Sequence, residues 1–229
     1  MKKTNKNLKI IGVIARPYKD TDDTKFVGIN ENIRKSIIKK KCIPLIINPI
    51  NIFNFDKDNT KKKLSDIEKE YYKNIIDNCD GLIISGGTKW YNYDVFIVKY
   101  AIKKDIPILG ICMGMQLLAS IDLGENNLEI NINKHYYKNK RYAHNIFIMD
   151  NTILKSIINK DIIKVNSRHN YHIKKADNFI ISAYSSDGYI EAIEMPNKKC
   201  IIGLQWHPED MLNYDINANK IYNYFISKL

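Results

Sequence analysis

With 229 residues, no Pro/Gly/Ser-rich linker and no like-charge block, the chain reads as one domain spanning 1–229, large enough to bury roughly 70% of its unfolded surface without a disulfide framework or a structural metal. The formal net charge of +11 comes from lysines scattered over nearly every polar segment, densest at Lys39 to Lys41, Lys61 to Lys63 and Lys134 to Arg141, so it reads as a solvated surface and no nucleic-acid partner is expected. The polar opening Met1 to Lys9 and the lack of any apolar run of bilayer length argue against a signal peptide and a membrane partner, and the expected location is cytoplasmic.

Short β-branched apolar runs alternate with amphipathic stretches through the first half, the pattern of buried parallel strands joined by helices. Leu8 to Ala15 predicts a strand, Asn30 to Lys41 a helix and Pro44 to Ile47 a second strand. Ser65 to Asn78 predicts a helix, opened by Ser65 and Glu68 in capping-box spacing and carrying a stripe of Ile67, Tyr71, Ile75 and Ile76. Gly81 to Ser85 is a third strand, Tyr93 to Lys103 a helix, Ile106 to Ile111 a fourth strand, and Gly114 to Ile121 a helix that starts directly from it.

The second half changes character. His144 to Met149, Ile162 to Asn166, Phe179 to Tyr184, Tyr189 to Glu194 and Cys200 to Gln205 read as strands, with only Thr152 to Asn159 helical among them. Asp187-Gly188 and Pro196-Asn197 are tight-turn pairs, which suggests antiparallel pairing. Ile216 to Ser227 closes the chain as a helix. The expected fold is α/β: a three-layer sandwich with a mainly parallel central sheet and an added antiparallel strand region.

Cys42, Cys79 and Cys200 sit in or beside apolar runs, as small core residues do. Cys112 differs, because it lies in Gly110-Ile-Cys112-Met-Gly114 at a strand-to-helix junction. This is the thiol counterpart of the Gly-x-Ser-x-Gly elbow, a turn so sharp that side chains at the flanking positions would strike neighbouring backbone. It sets the sulfur at a helix N-terminus, whose partial positive charge favours the thiolate form. A buried cysteine in a glycine turn is the competing reading of that segment taken alone.

At the end of the last strand comes Gln205-Trp-His207-Pro-Glu209. In an extended segment positions i and i+2 share a face, so the Glu209 carboxylate can orient the His207 ring while its other nitrogen faces Cys112. Cysteine, histidine and an orienting acid are the plan of nucleophilic acyl transfer. Ser85-Gly86-Gly87 follows the third strand at the same sheet edge, where a loop N–H and that of Met113 are placed to bind an oxyanion. The five histidines, His135, His144, His169, His172 and His207, show no ligand spacing on one helix face, so neither metal nor cofactor is expected.

Taken together these segments resemble the class I glutamine amidotransferase superfamily, and within it the γ-glutamyl-γ-aminobutyrate hydrolase-like branch, peptidase family C26. Asp80-Gly-Leu-Ile-Ile-Ser-Gly-Gly87, Leu109-Gly-Ile-Cys-Met-Gly-Met-Gln116 and Gln205-Trp-His-Pro-Glu209 fall in the family's order, while Val165-Asn-Ser167-Arg-His169 and Ser186-Asp-Gly188-Tyr-Ile-Glu-Ala-Ile193 look like the hydrolase branch. The resemblance implies a flavodoxin-like fold. It makes Cys112 the nucleophile, His207 the base, Glu209 the orienting acid, Gly87 and Met113 the oxyanion donors, Gly86 and Gln116 neighbours of the glutamyl head, and Ser167 and His169 the acceptor-side lining.

Three departures fall where a leaving group would be read: Met113 in place of the family's usual arginine, the shortened Thr88 to Tyr93, and the replaced segment Leu123 to Ile132. Lys89, Trp90, Arg141 and Arg168 are the side chains expected there. The expected substrate is a small γ-glutamyl amide, the expected alternative a glutaminase subunit delivering ammonia to a synthase, and a homodimer is allowed.

Overall fold

The computed structural model describes residues 8–50 and 61–229; the polar opening segment 1–7 lies outside them. The chain starts with β1 (Ile10–Ile14), turns through a hairpin of β2 (Arg16–Lys19) and β3 (Lys25–Gly28), and continues as α1 (Glu31–Lys39), β4 (Ile43–Ile47), α2 (Asp66–Asp77), β5 (Gly81–Ile84), α3 (Asn92–Lys103), β6 (Ile108–Ile111) and α4 (Met113–Ala119). The second half adds β7 (Leu128–Ile130), β8 (His144–Ile148), α5 (Ile153–Ile158), β9 (Ile162–Val165), β10 (Tyr171–Ile173), β11 (Ile180–Ser185), β12 (Ile190–Glu194), β13 (Ile201–Leu204) and α6 (Ile216–Ser227).

Nine strands make one sheet in the order β4-β1-β5-β6-β13-β12-β11-β8-β9. From β4 to β13 the pairings are parallel, and from β13 to β9 they are antiparallel. Successive strand residues point to opposite faces and both faces are buried, which is why the parallel strands are continuously apolar. Ile83, Leu109 and Ile111 join the core beneath α1, α5 and α6, while Leu82, Ile84 and Ile108 join the one beneath α2, α3 and α4. The α/β three-layer architecture is the expected one.

Local differences have identifiable causes. The Ser65 capping box forms, but the buried face of α2 is Glu68, Tyr72 and Ile76, and Ile67 and Tyr71 are exposed. Glu68 folds back onto the Ser65 N–H at 2.7 Å, and the helix turns its next i+4 neighbours inward with it. The β2–β3 hairpin and the small β7–β10 sheet are additions to the expected elements. The hairpin residues are largely exposed and carry no burial alternation for a pattern to detect.

A buried ion pair fastens the hairpin to α3. The Arg16 guanidinium donates to the Asp94 carboxylate, which has no solvent exposure and also accepts the Tyr91 N–H at 2.7 Å. Removing one partner of such a pair strands the other charge. Asp94→Ala is expected to lower unfolding stability by about 3–5 kcal/mol. Urea denaturation followed by far-UV circular dichroism measures this, and a loss below about 1 kcal/mol would mean that water reaches the guanidinium.

Candidate active site

β6 and β13 lie side by side in parallel register, with Gly110 opposite Gly203 and Ile111 opposite Leu204. The N–H of Cys112 donates to the Leu204 carbonyl at 2.7 Å, so the segments leaving these two strands emerge together at one sheet edge. Cys112 then turns with φ 54° and ψ −108°, a backbone state disfavoured for any residue bearing a β-carbon. Its flanks explain how the turn closes. A β-carbon on Gly114 would stand 2.1 Å from the Ile84 carbonyl oxygen, and one on Gly110 would stand 2.6 Å from the Leu118 side chain and 2.9 Å from Gly114 backbone.

His207 leaves β13 and precedes a single 3₁₀ turn, Pro208–Asp210. The pairing of His207 with Glu209 is present, but its cause is not an extended segment: the turn at Pro208 folds Glu209 back so that Oε1 lies 2.7 Å from His207 Nδ1. Burial by itself would push the imidazole down; the Glu209 carboxylate and then the Cys112 sulfur hold it up at about 10. The ring is therefore held toward its protonated form.

Two polar side chains missing from the sequence-based set complete this arrangement. Asn166, one residue past β9, brackets the histidine backbone: its Nδ2 donates to the His207 carbonyl at 2.9 Å, and its Oδ1 accepts the His207 N–H at 2.8 Å. Gln205 directs its Nε2 at the Cys112 sulfur at 3.7 Å. Asn166 sits inside the Val165-Asn166-Ser167 motif, yet an amide that grips backbone leaves no spacing signal in a sequence.

The Gly86-Gly87 loop crosses the same edge, because β5 pairs with β6 with Ile84 opposite Gly110. A β-carbon on Gly86 would lie 2.9 Å from His207 Cε1, and one on Gly87 would lie 3.3 Å from the Met113 methyl. Cys112, Met113, Gly87 and Gln116 line a cavity of about 390 Å³ whose other walls include Lys89, Trp90, Arg168 and His169. Gln116 spends its NH₂ on the Tyr171 carbonyl at 2.9 Å and on Gln205 Oε1 at 3.2 Å.

Two expected residues are used differently. Ser167 is fully buried, does not line this cavity, and donates its hydroxyl to the His135 carbonyl. His169 forms wall, but its Nε2 faces Glu191 and not Cys112. Arg141 lies in a neighbouring depression over Tyr214. No helix among the described residues is long and apolar enough to cross a membrane.

The family model for Peptidase C26 matches residues 91–209. A protein of Rickettsia prowazekii named for its likeness to glutamine amidotransferases is 31% identical over 190 residues, covering 63% of this chain and 66% of that one. CTP synthase of Lactobacillus johnsonii is 28% identical over 65% of this chain, but the match spans only 34% of that enzyme. Among solved structures, the CTPS glutaminase domain of Trypanosoma brucei, with bound acivicin, aligns over 96% of this chain and 93% of its own, with a TM-score of 0.62 at 18% identity. The fold is thus shared well beyond recognisable sequence.

Burial pushes the Cys42 thiol up, Cys79 to about 11 and Cys200 to about 12, which leaves little thiolate at any of them near neutrality. Brief iodoacetamide treatment at pH 7 is expected to label Cys112 first; mass spectrometry reads the order, and faster labelling of Cys79 or Cys200 would count against the elbow. Asn166→Ala is expected to lower kcat roughly ten- to a hundredfold with KM nearly unchanged, the effect of losing two backbone hydrogen bonds that orient His207. Steady-state kinetics on any turned-over substrate decides, and a change confined to KM would remove the bracket's role.

Proposed function

Because the chain belongs to the peptidase C26 family of class I glutamine amidotransferases, we propose that it hydrolyses the γ-glutamyl amide bond of a small γ-glutamyl compound, releasing glutamate and an amine. One observation carries this reading: an elbow cysteine in a disfavoured backbone state lines a cavity at the same sheet edge as an imidazole whose Nδ1 lies 2.7 Å from a buried carboxylate.

In this mechanism the Cys112 sulfur, its proton already transferred to His207 Nε2, attacks the γ-carbonyl carbon, and the carbonyl electron pair moves onto oxygen. Met113 opens α4, so its N–H has no intrahelical acceptor and is free to meet that oxygen together with the Gly87 N–H. As the tetrahedral species collapses, the amine leaves with a proton from His207 Nε2, while Nδ1 stays on Glu209. Water, deprotonated by the now neutral ring, attacks the thioester carbon; the C–S bond then breaks, releasing glutamate and returning the sulfur anion beside the reprotonated ring. With its NH₂ committed elsewhere, Gln116 offers its carbonyl oxygen to the ammonium of the glutamyl head. Lys89, Trp90 and Arg168 stand where the amine half would lie.

A second reading has its own support. Glutamine is the smallest γ-glutamyl amide, and the match to CTP synthase favours a glutaminase that passes ammonia to a partner synthase. The two readings differ in dependence on a partner: a free-standing hydrolase turns over substituted γ-glutamyl amines alone, whereas a glutaminase prefers glutamine and is slow until its synthase binds. A cytoplasmic enzyme, alone or as a homodimer, fits either reading.

Glutamate release from a panel of γ-glutamyl amides, glutamine included, tests the proposal. On the best substrate, Glu209→Gln is expected to cut kcat/KM by roughly 10²- to 10⁴-fold, the usual worth of a correctly placed acid–base group. Cys112→Ala should release no glutamate. Wild-type rates in either variant would remove the triad, and no turnover of any γ-glutamyl amide, with or without a synthase, would remove the substrate class.

A further inference from the structure

A second constellation of side chains lies apart from Cys112, His207 and Glu209. His135 comes from the loop before β8, His144 opens β8, His169 follows β9, and Glu191 sits on β12. Glu191 and His169 have side chains at most 1% exposed, His135 4% and His144 15%. His135 Nδ1, His144 Nε2 and His169 Nε2 each stand 3.6 Å from the same atom, Glu191 Oε1. That is too long for a hydrogen bond, and among the described residues none of these three nitrogens, nor either Glu191 oxygen, has a hydrogen-bond partner. One ligand atom from each of the four side chains falls within a common span of 4.8 Å.

The far side of each ring explains which way its lone pair points. His135 Nε2 lies 2.9 Å from the Asp187 carboxylate, and His144 Nδ1 lies 3.0 Å from the Asn145 carbonyl. His169 Nδ1 lies 3.0 Å from the Tyr171 carbonyl, nearer than the Asn131 amide nitrogen at 3.2 Å. Carboxylates and carbonyls only accept, so these nitrogens carry the hydrogens and the opposite nitrogens present bare lone pairs. Three lone pairs converging on a buried carboxylate oxygen repel one another unless a cation sits among them. Imidazoles anchored through the far nitrogen to a carboxylate or carbonyl are the arrangement that metal ligation uses.

We propose that His135, His144, His169 and Glu191 bind one zinc ion as a closed structural site. Four ligands about 2.1 Å from zinc define a tetrahedron with edges of about 3.4 Å, close to the three nitrogen–oxygen separations of 3.6 Å and inside the 4.8 Å span of the group. Three nitrogens and one oxygen without sulfur suit zinc, and also its spectroscopic substitute cobalt. The ion staples together the loop bearing His135, the segment bearing Arg168 and His169, and the antiparallel end of the sheet. Two of those segments supply cavity wall through Tyr136, Arg168 and His169. Metal would therefore hold the leaving-group side in shape while taking no part in the acyl transfer.

Tag-free protein purified without chelator is expected to carry about one zinc per chain by plasma mass spectrometry. After chelator treatment, cobalt(II) should give the intense visible bands of a tetrahedral site. Adding zinc(II) back should raise Tm by about 10 °C, the size expected for a ligand present far above its Kd. Glu191→Gln and His144→Gln should lose the cobalt bands, and His207→Ala should keep them. If the first two variants fail to fold, the zinc response of stripped wild-type protein decides. Zinc far below one per chain, with no cobalt bands and no Tm shift, would overturn the site; loss of the bands in His207→Ala would put the ion at the triad and overturn it equally.

Discussion

The hydrogen bond from the Cys112 N–H to the Leu204 carbonyl fixes everything that follows at this sheet edge. It is the last rung of the β6–β13 ladder, and one residue further on each strand begins a different kind of turn. On one side the chain bends sharply into α4 and presents a thiol. On the other it reaches His207, three residues past Leu204, and closes a 3₁₀ turn that returns Glu209 to the ring. A slip of one residue in this register would send His207 to the opposite face of the sheet.

The elbow also shows how strain is held in place. Cys112 occupies a disfavoured backbone state, and the stabilising contacts lie in its neighbours: Gly114 packs its α-carbon against the Ile84 carbonyl, and Gly110 admits Leu118. The two glycines are therefore packing residues as much as turn residues. Their lack of side chains lets α4 lie directly on β5 and β6, which in turn brings the Gly86-Gly87 loop against Met113. Approach of His207 to that loop needs the same allowance at Gly86.

The central strands were legible because burial on both faces leaves a run of Ile, Leu and Val with no polar interruption, as in Gly81–Ile84 and Ile108–Ile111. That Cys112, His207 and Glu209 would be brought to one sheet edge was legible because they sit in two short motifs, although the fold brings His207 and Glu209 together by a turn that the extended reading did not contain. What stayed hidden depends on contacts between distant segments. Asn166 acts on backbone 41 positions away, and the β2–β3 hairpin shows no alternation of buried and exposed residues. Glu191 and the three histidines around it arrive from four separate segments, so no window of sequence contains even two of them in a recognisable ligand spacing.

β13 is the last strand in the chain, yet it lies inside the sheet between β6 and β12. On a ribosome, the thiol-bearing elbow is made long before the strand that completes its surroundings, and both the Leu204 acceptor and the His207 imidazole arrive only with that strand. A nascent or truncated polypeptide that stops short of β13 thus holds a cysteine with no acid–base partner. The order of synthesis itself leaves the grouping around Cys112 unassembled until β13 and the turn after it are made.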